Sequence, residues 1–266
     1  MIEKKLHHLG LSPSDVKCAI ITGDPRRVEI ITSLLEGSER LSDRRGFLCY
    51  RAYIGKLPIV VVSTGIGGPS TAIVVEELVE IGIRIIIRIG TCGALQSNIK
   101  VGDLIIPTGC VREEGTTAQY IEPIFPAVPD FEMLKRLFNA ATNQQGRFHI
   151  GITHCKDAYY LEQPGKQLAP QAIENKWKLW QQSGVLATEM ESSTLFVLGS
   201  LRKIRTGSVF INIGKVTEKK IFQRSLENAV KIVSYAITSL VRELGVVHDT
   251  DNLKKDDSSY LDVPGN

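Results

Sequence analysis

Short runs of apolar, mostly β-branched residues recur along this chain, each closed by a turn, and several are followed by apolar positions at helical spacing. Cys18-Ala-Ile-Ile-Thr22 ends at Gly23-Asp-Pro25, and Val28, Ile31, Leu34 and Leu35 then mark one face of a helix over 26–35. Asp24 before Pro25 suits the start of that helix, since proline at the first helical position gives up no needed hydrogen bond. Leu57-Pro-Ile-Val-Val-Val62 repeats the pattern, with a glycine-rich turn over 63–70 and a helix over 71–81 carrying Ile73, Val74, Leu78 and Ile81 on one side. The run over 84–89 predicts a strand that ends in a turn, Gly90-Thr-Cys-Gly93. Further strands are expected at 102–107, 148–153 and 207–213, with helices at 186–201 and 226–244. Strands that are apolar along their whole length are buried on both faces. The expected fold is therefore α/β, a single domain with a central mixed, largely parallel β-sheet flanked by helices.

No low-complexity linker or fixed-period repeat divides the 266 residues. One domain is expected over 1–245, followed by a polar, loose tail over 246–266 that lacks a helical stripe. With 32 Lys+Arg against 29 Asp+Glu the chain is not a heavily basic nucleic-acid binder, so any bound anion should be small and held by a few placed arginines. The stretch over 81–89 is interrupted by Gly82, Arg84 and Arg88 and is too short to span a bilayer. Five scattered cysteines without a Cys-x-x-Cys fit free thiols in a reducing compartment. A cytoplasmic protein is expected, with neither membrane nor nucleic acid as partner.

In an open α/β sheet, ligands gather where strands end in turns. Three such turns are glycine-rich: Thr22-Gly-Asp-Pro-Arg-Arg27, Ser63-Thr-Gly-Ile-Gly-Gly-Pro-Ser-Thr71 and Arg88-Ile-Gly-Thr-Cys-Gly93. Glycine lets backbone N–H groups approach an oxyanion, and Arg27 and Arg88 add guanidinium forks matched to phosphate oxygens. A single glycine turn more often serves tight geometry, and none of these has the spacing of a P-loop or a dinucleotide fingerprint. Arg88, with isoleucines on both sides, must be met by an anion or by a buried carboxylate, and both readings stand at this point. In Thr188-Glu-Met-Glu-Ser-Ser193, Glu189 and Glu191 read as opening a helix, where the helix dipole alone favours acids. At i and i+2 they should point in different directions, with Met190 as an apolar face between them. A carboxylate there could accept vicinal sugar hydroxyls. His7 and His8 form an ordinary surface pair, Tyr159-Tyr160 offers either a base-stacking pair or, as aromatic pairs more often do, core packing, and the Trp177-x-x-Trp180 pair fits a packing role.

Taken in this order, Gly23-Asp-Pro-x-Arg27, Ser63 to Ser70, Arg88-Ile-Gly-Thr91, Phe125-Pro-Ala-Val128 and Glu189-Met-Glu-Ser192 resemble the nucleoside phosphorylase-I family, most of all its uridine-cleaving members. The resemblance runs from His8 to the last helix. It implies reversible phosphorolysis of uridine, with deoxyuridine as a second candidate, to uracil and ribose 1-phosphate, inorganic phosphate being a co-substrate and no cofactor being needed. It implies that Gly23, Arg27, Arg88 and Thr91 hold phosphate, joined by Arg45 of a neighbouring subunit. Glu191 and Met190, with Glu189 close by, would hold ribose, and the neighbour's His8 would reach its 5′ end. Arg88 and Glu191 would be the catalytic pair. A shared site implies an obligate dimer, and such family members assemble as trimers of dimers. Gly46 stands where some relatives carry a potassium-binding glutamate, so no metal site is expected.

The base site departs from the family pattern. Asn212-Ile-Gly-Lys-Val-Thr-Glu218 lacks the aspartate by which purine-preferring relatives protonate the base. Gln163 can take the place of a uracil-reading glutamine, but Gly165 and Lys166 stand where an arginine is expected, and Lys215 and Val216 where an Asn-Arg pair is common. Lys166 or Lys215 is left as the donor to a uracil oxygen, as a point charge without a bidentate fork. The alternatives are a phosphorylase of different base preference, a nucleosidase, which would have no need of three phosphate arginines, and a non-catalytic nucleoside- or phosphate-binding relative.

Overall fold

A computed structural model describes residues 5–144, 146–162, 169–214 and 218–244. Nine strands and six helices succeed one another as β1 (Cys18–Thr22), α1 (Pro25–Ser33), β2 (Glu36–Arg44), β3 (Phe47–Ile54), β4 (Leu57–Ser63), α2 (Gly68–Glu80), β5 (Ile85–Ala94), β6 (Leu104–Glu113), α3 (Phe131–Thr142), β7 (Phe148–Lys156), α4 (Pro170–Gln182), β8 (Ala187–Glu189), α5 (Ser192–Leu201), β9 (Arg205–Asn212) and α6 (Lys219–Glu243). They form one mixed sheet in the order β2-β3-β4-β1-β5-β8-β7-β6-β9. Strand β9 also pairs in parallel with β5, so the far half of the sheet closes on itself as a five-stranded barrel.

Five strand pairings are parallel (β1–β4, β1–β5, β5–β9, β6–β7, β7–β8) and four antiparallel. The expected α/β fold with a mixed, largely parallel sheet is what the chain adopts. The reason lies in β1, whose five residues are all buried, alternately on opposite faces. Ile20 packs with Val28 and Ile31 of α1 and with the apolar faces of α3 and α6. Ala19 and Ile21 pack on the other side with Val74 and Leu78 of α2 and Leu195 to Leu198 of α5. Inside the barrel lie Cys92, Ile105, Ala187 and Phe210.

Three expectations are corrected. The helix read over 186–201 is split, because Ala187–Glu189 forms β8 and only Ser192–Leu201 is helical. Three residues suffice for β8 because it pairs with β5 on one side and β7 on the other and so closes the barrel. The turn read at Gly90-Thr-Cys-Gly93 is continuous strand, paired through Gly90↔Phe210, Thr91↔Ile211 and Cys92↔Asn212. The last helix begins at Lys219 rather than 226. The β2–β3 hairpin and α3 carry no expectation at all. That hairpin turns in two residues, Arg45 and Gly46, both at positive φ (53° and 86°), the backbone twist a tight hairpin requires. No helix among the described residues is long and apolar enough to cross a membrane. The line drawn at residue 245, with the tail after it, lies outside the described residues.

Candidate active site

Arg88 sits inside β5 with 2% of its surface exposed. Its Nε donates to Glu189 Oε2 at 3.3 Å and its Nη2 to Glu191 Oε2 at 2.5 Å. Burial works against the guanidinium's charge, but the two carboxylates outweigh it and raise its pKa. Burial pushes the Glu191 carboxyl up, against the pull of Arg88 and with the push of Glu189. Of the two readings of Arg88, the buried ion pair is present, yet Nη1 is buried and finds no hydrogen-bond partner among the described residues. An orphaned cationic donor of this kind is rare and calls for an acceptor.

The two glutamates do not diverge. Glu189 ends β8, and Glu191 occupies the N-cap position of α5. The strand-to-helix bend turns both carboxylates onto Arg88, whereas a helix would have splayed them. Glu189 is held by the backbone N–H groups of Glu191 (3.0 Å) and Ser192 (2.9 Å). Glu191 Oε1 accepts from the N–H of Gly67 at 2.7 Å, tying the second glycine-rich turn to the same cluster. Gly67 has φ of +94°, which only glycine adopts readily, and it caps α2. Met190 lies half-buried between the two glutamates.

Glycines make room for this arrangement. A Cβ on Gly90 would stand 2.8 Å from Cζ of Arg88, so the glycine clears the strand for the folded-back guanidinium. A Cβ on Gly68 would meet Thr116 Oγ1 at 2.4 Å and Thr194 Oγ1 at 2.9 Å, so α2 starts hard against α5. Gly23 approaches the carbonyl oxygen of Gly65 so closely that a Cβ would lie 3.2 Å from it, and Thr64 N–H donates to Thr22 O at 2.7 Å. The first two glycine-rich turns are thereby laced together.

Arg27 lies at this junction. Its Nη1 donates to Thr22 Oγ1 at 3.1 Å, and its guanidinium lies over the ring of Phe222, 5.6 Å from the centroid. Burial, then the charge of Arg88, brings its pKa down to about 10. Two arginines whose charges repel across a shared space again ask for an anion. Thr91 follows on β5, half-buried. The structure thus gathers Gly23, Arg27, Arg88, Thr91, Glu189, Met190 and Glu191 at one end of the strands. Neither Arg45 nor His8 makes a hydrogen bond or ion pair with this cluster. Arg45 is exposed at the β2–β3 turn, which Ser63 anchors by donating to Gly46 O at 3.1 Å. His8 is bound to Glu77 on α2. Gln163, Lys166 and Lys215 lie outside the described residues.

Several contributors escaped sequence reasoning. Arg112 donates to Thr117 Oγ1 and to the carbonyls of Ile121, Glu122 and Phe125, clamping the loop that leads into the Phe125-Pro-Ala-Val128 stretch. On the face of β8 away from Glu189, Thr188 Oγ1 lies 3.0 Å from both His154 Nδ1 and Lys156 Nζ. Burial, then the charge of Lys156, lowers the His154 pKa to about 4, and burial lowers that of Lys156 to about 8. Trp177 covers both, as expected of a packing residue. Tyr159 and Tyr160, in contrast, are not core, being 55% and 62% exposed. A lysine and a histidine in a run of strand residues were the available signals.

Fold and site together define an α/β protein with a buried arginine–glutamate cluster at its strand ends. The chain belongs to the Phosphorylase superfamily, which it matches over residues 17–242. It is 39% identical over 244 residues to the uridine phosphorylase of Treponema pallidum (strain Nichols), covering 89% of this chain and 95% of that protein. To the guanosine phosphorylase of Halorubrum lacusprofundi it is 34% identical over 249 residues, covering 89% and 99%. Among solved structures, uridine phosphorylase from Vibrio fischeri ES114 superimposes with a TM-score of 0.80 at 29% identity, covering 88% of this chain and 98% of that one.

Proposed function

We propose that this protein is a pentosyltransferase that converts uridine and inorganic phosphate reversibly into uracil and ribose 1-phosphate. The observation that carries the reading is Arg88, buried beside two carboxylates with Nη1 unmatched and a second arginine facing it. Uridine phosphorylases of similar length and sequence support the choice of nucleoside.

In this reading a phosphate oxygen attacks C1′ from the face opposite the base, the C1′–N1 bond breaks, and its electron pair leaves with uracil. Phosphate is the nucleophile, so no serine or cysteine need be activated. Arg27, Arg88, Thr91 and the backbone at Gly23 hold the dianion in line with C1′, with Arg45 of a neighbouring subunit closing the site. Holding the attacking group in place and meeting its charge with preset donors lowers the barrier without any proton relay. Glu191 accepts the ribose hydroxyls while Glu189 braces the α5 N-terminus and Met190 lies against the sugar; the neighbour's His8 meets the 5′-hydroxyl. Gln163 and Lys166 or Lys215 relieve the negative charge on departing uracil. The protein works as a dimer-based hexamer in the cytoplasm without cofactor or metal, in keeping with its five free thiols.

The 34% identical guanosine phosphorylase supports a second reading, in which the same phosphate and ribose site serves a different base. Purified protein offered uridine, deoxyuridine, thymidine, inosine, guanosine and adenosine, each with and without phosphate, separates the two. Phosphate-dependent uracil release from uridine is expected. Release from purine nucleosides alone would establish the second reading, and release without phosphate would reveal a nucleosidase.

A further inference from the structure

Glu77 is a carboxylate on the apolar stripe of α2, one position before Leu78 and 8% exposed. Its Oε1 accepts from the backbone N–H of His8 at 2.8 Å and lies 2.7 Å from that residue's Nδ1, and its Oε2 accepts from Leu9 N–H at 2.8 Å. One buried carboxylate therefore holds two backbone donors and a ring nitrogen. A carboxylate at Nδ1 keeps the proton there, which leaves Nε2 of the neutral ring as an acceptor. The His8 side chain keeps 31% of its surface exposed, beside Pro69, Glu76, Thr116 and Tyr120.

Helix α2 also acts as a ruler. Gly67 at its N-cap bonds Glu191, whereas Glu77 stands ten residues further on, about 15 Å along the axis at 1.5 Å per residue. The imidazole is fastened to Glu77 and makes no hydrogen bond with its own chain's Glu191, which is taken by Gly67 and Arg88. The ring is held partly exposed, open to contact from a second copy of the chain.

We infer that Glu77 is a positioning residue for the neighbouring subunit's ribose site: it fixes the backbone, ring and tautomer of His8 so that Nε2 accepts the proton of the nucleoside's 5′-hydroxyl. The inference rests on the phosphorylase reading and adds a residue to it. The competing role is a plain anchor for the N-terminal segment, without consequence for the 5′ end of the substrate.

The test compares uridine with 5′-deoxyuridine, which lacks the hydroxyl in question, by the ratio of their kcat/KM values. Wild-type protein should favour uridine by about tenfold, the worth of one well-placed hydrogen bond. His8→Ala should abolish the preference, Glu77→Gln should remove most of it, and the double variant should lose nothing more. Melting curves check the fold, and Glu77→Asp, which keeps the charge but draws it back, serves if the glutamine variant does not fold. Parallel loss on both substrates with an unchanged ratio would leave Glu77 a mere anchor and overturn the inference, as would a wild-type ratio near one. If wild-type protein releases no uracil from either nucleoside in phosphate, the phosphorylase reading itself falls and takes the inference with it.

Discussion

Arg88 is the charge around which the buried cluster is built. Its neighbours Ile87 and Ile89 make it look like a core position, and only a charge partner can keep a guanidinium there. Lysine can retain the charge but not the fork that spans Glu189 and Glu191 while leaving a third nitrogen over. Arg88→Lys is expected to lower kcat/KM for phosphate by about 100-fold, comparable to the loss of a preset donor to a developing oxyanion. Arg88→Ala should in addition unfold more easily, by about 3–5 kcal/mol, since two buried carboxylates lose their cation. Phosphate-saturation kinetics and denaturant titrations check the two halves. His154 supplies a pH prediction. Buried under Trp177 and Trp180 and close to Lys156, it keeps its proton off down to about 4 even though its Nε2 lies 2.8 Å from Glu113 Oε2. Burial and the lysine outweigh that carboxylate, while in the unfolded chain it titrates near the ordinary 6.5. Between those values the unfolded state binds the extra proton, so stability is complete above pH 6.5 and is lost as pH falls toward 4. The loss should reach about 3 kcal/mol from this group. In a His154→Gln variant, urea titrations across that range should show a correspondingly flatter profile.

Elements explain why particular glycines stand where they do. Gly90 looks like turn punctuation, yet it sits inside β5 opposite Phe210, where its missing Cβ leaves space for Arg88. Gly90→Ala should therefore act as overpacking, at about 1–3 kcal/mol of stability, and should raise KM for phosphate by pushing the guanidinium off its carboxylates. A melting temperature that falls with phosphate KM unchanged would show that the guanidinium has room to yield. The same element shows where local reading stops. Glycine in sequence signals a bend, and the eight-residue pairing with β9 over 85–92 overrides that signal. The 186–201 segment fails in the opposite way: its apolar run is helical only after Glu191, because β8 is claimed by strands on both sides.

For the whole molecule, the decisive matter is what one chain lacks. Arg45 stands exposed on a hairpin tip and His8 is fastened to α2, neither of them bonded to the Arg88 cluster. If both serve a neighbour, two defective chains can repair one another. An Arg88→Ala chain, dead in its own site, still lends Arg45, and an Arg45→Ala chain still has an intact Arg88. Unfolding the two together and refolding them at equal amounts should recover about a quarter of the wild-type sites, the share that pairs an intact Arg88 with a borrowed Arg45 in random dimers. Recovery no greater than the sum of the separate variants would place Arg45 outside a shared site.

The chain's own text was sufficient for the apolar strands, the turn at Gly23-Asp-Pro25, the helix after it and the residue types that could hold an anion. Those are local properties: periodicity, proline geometry and a charge set among isoleucines can be read within a few residues. It could not tell whether Arg88 meets an anion or a carboxylate, because that partner lies 103 residues away at Glu191. Nor could it reveal that Glu189 and Glu191 converge, that Gly67 reaches Glu191, or that Glu77 grips His8 from 69 positions off. These meetings depend on strand register and on where helices start against one another. They are decided by packing across the sheet, which no short stretch of sequence contains.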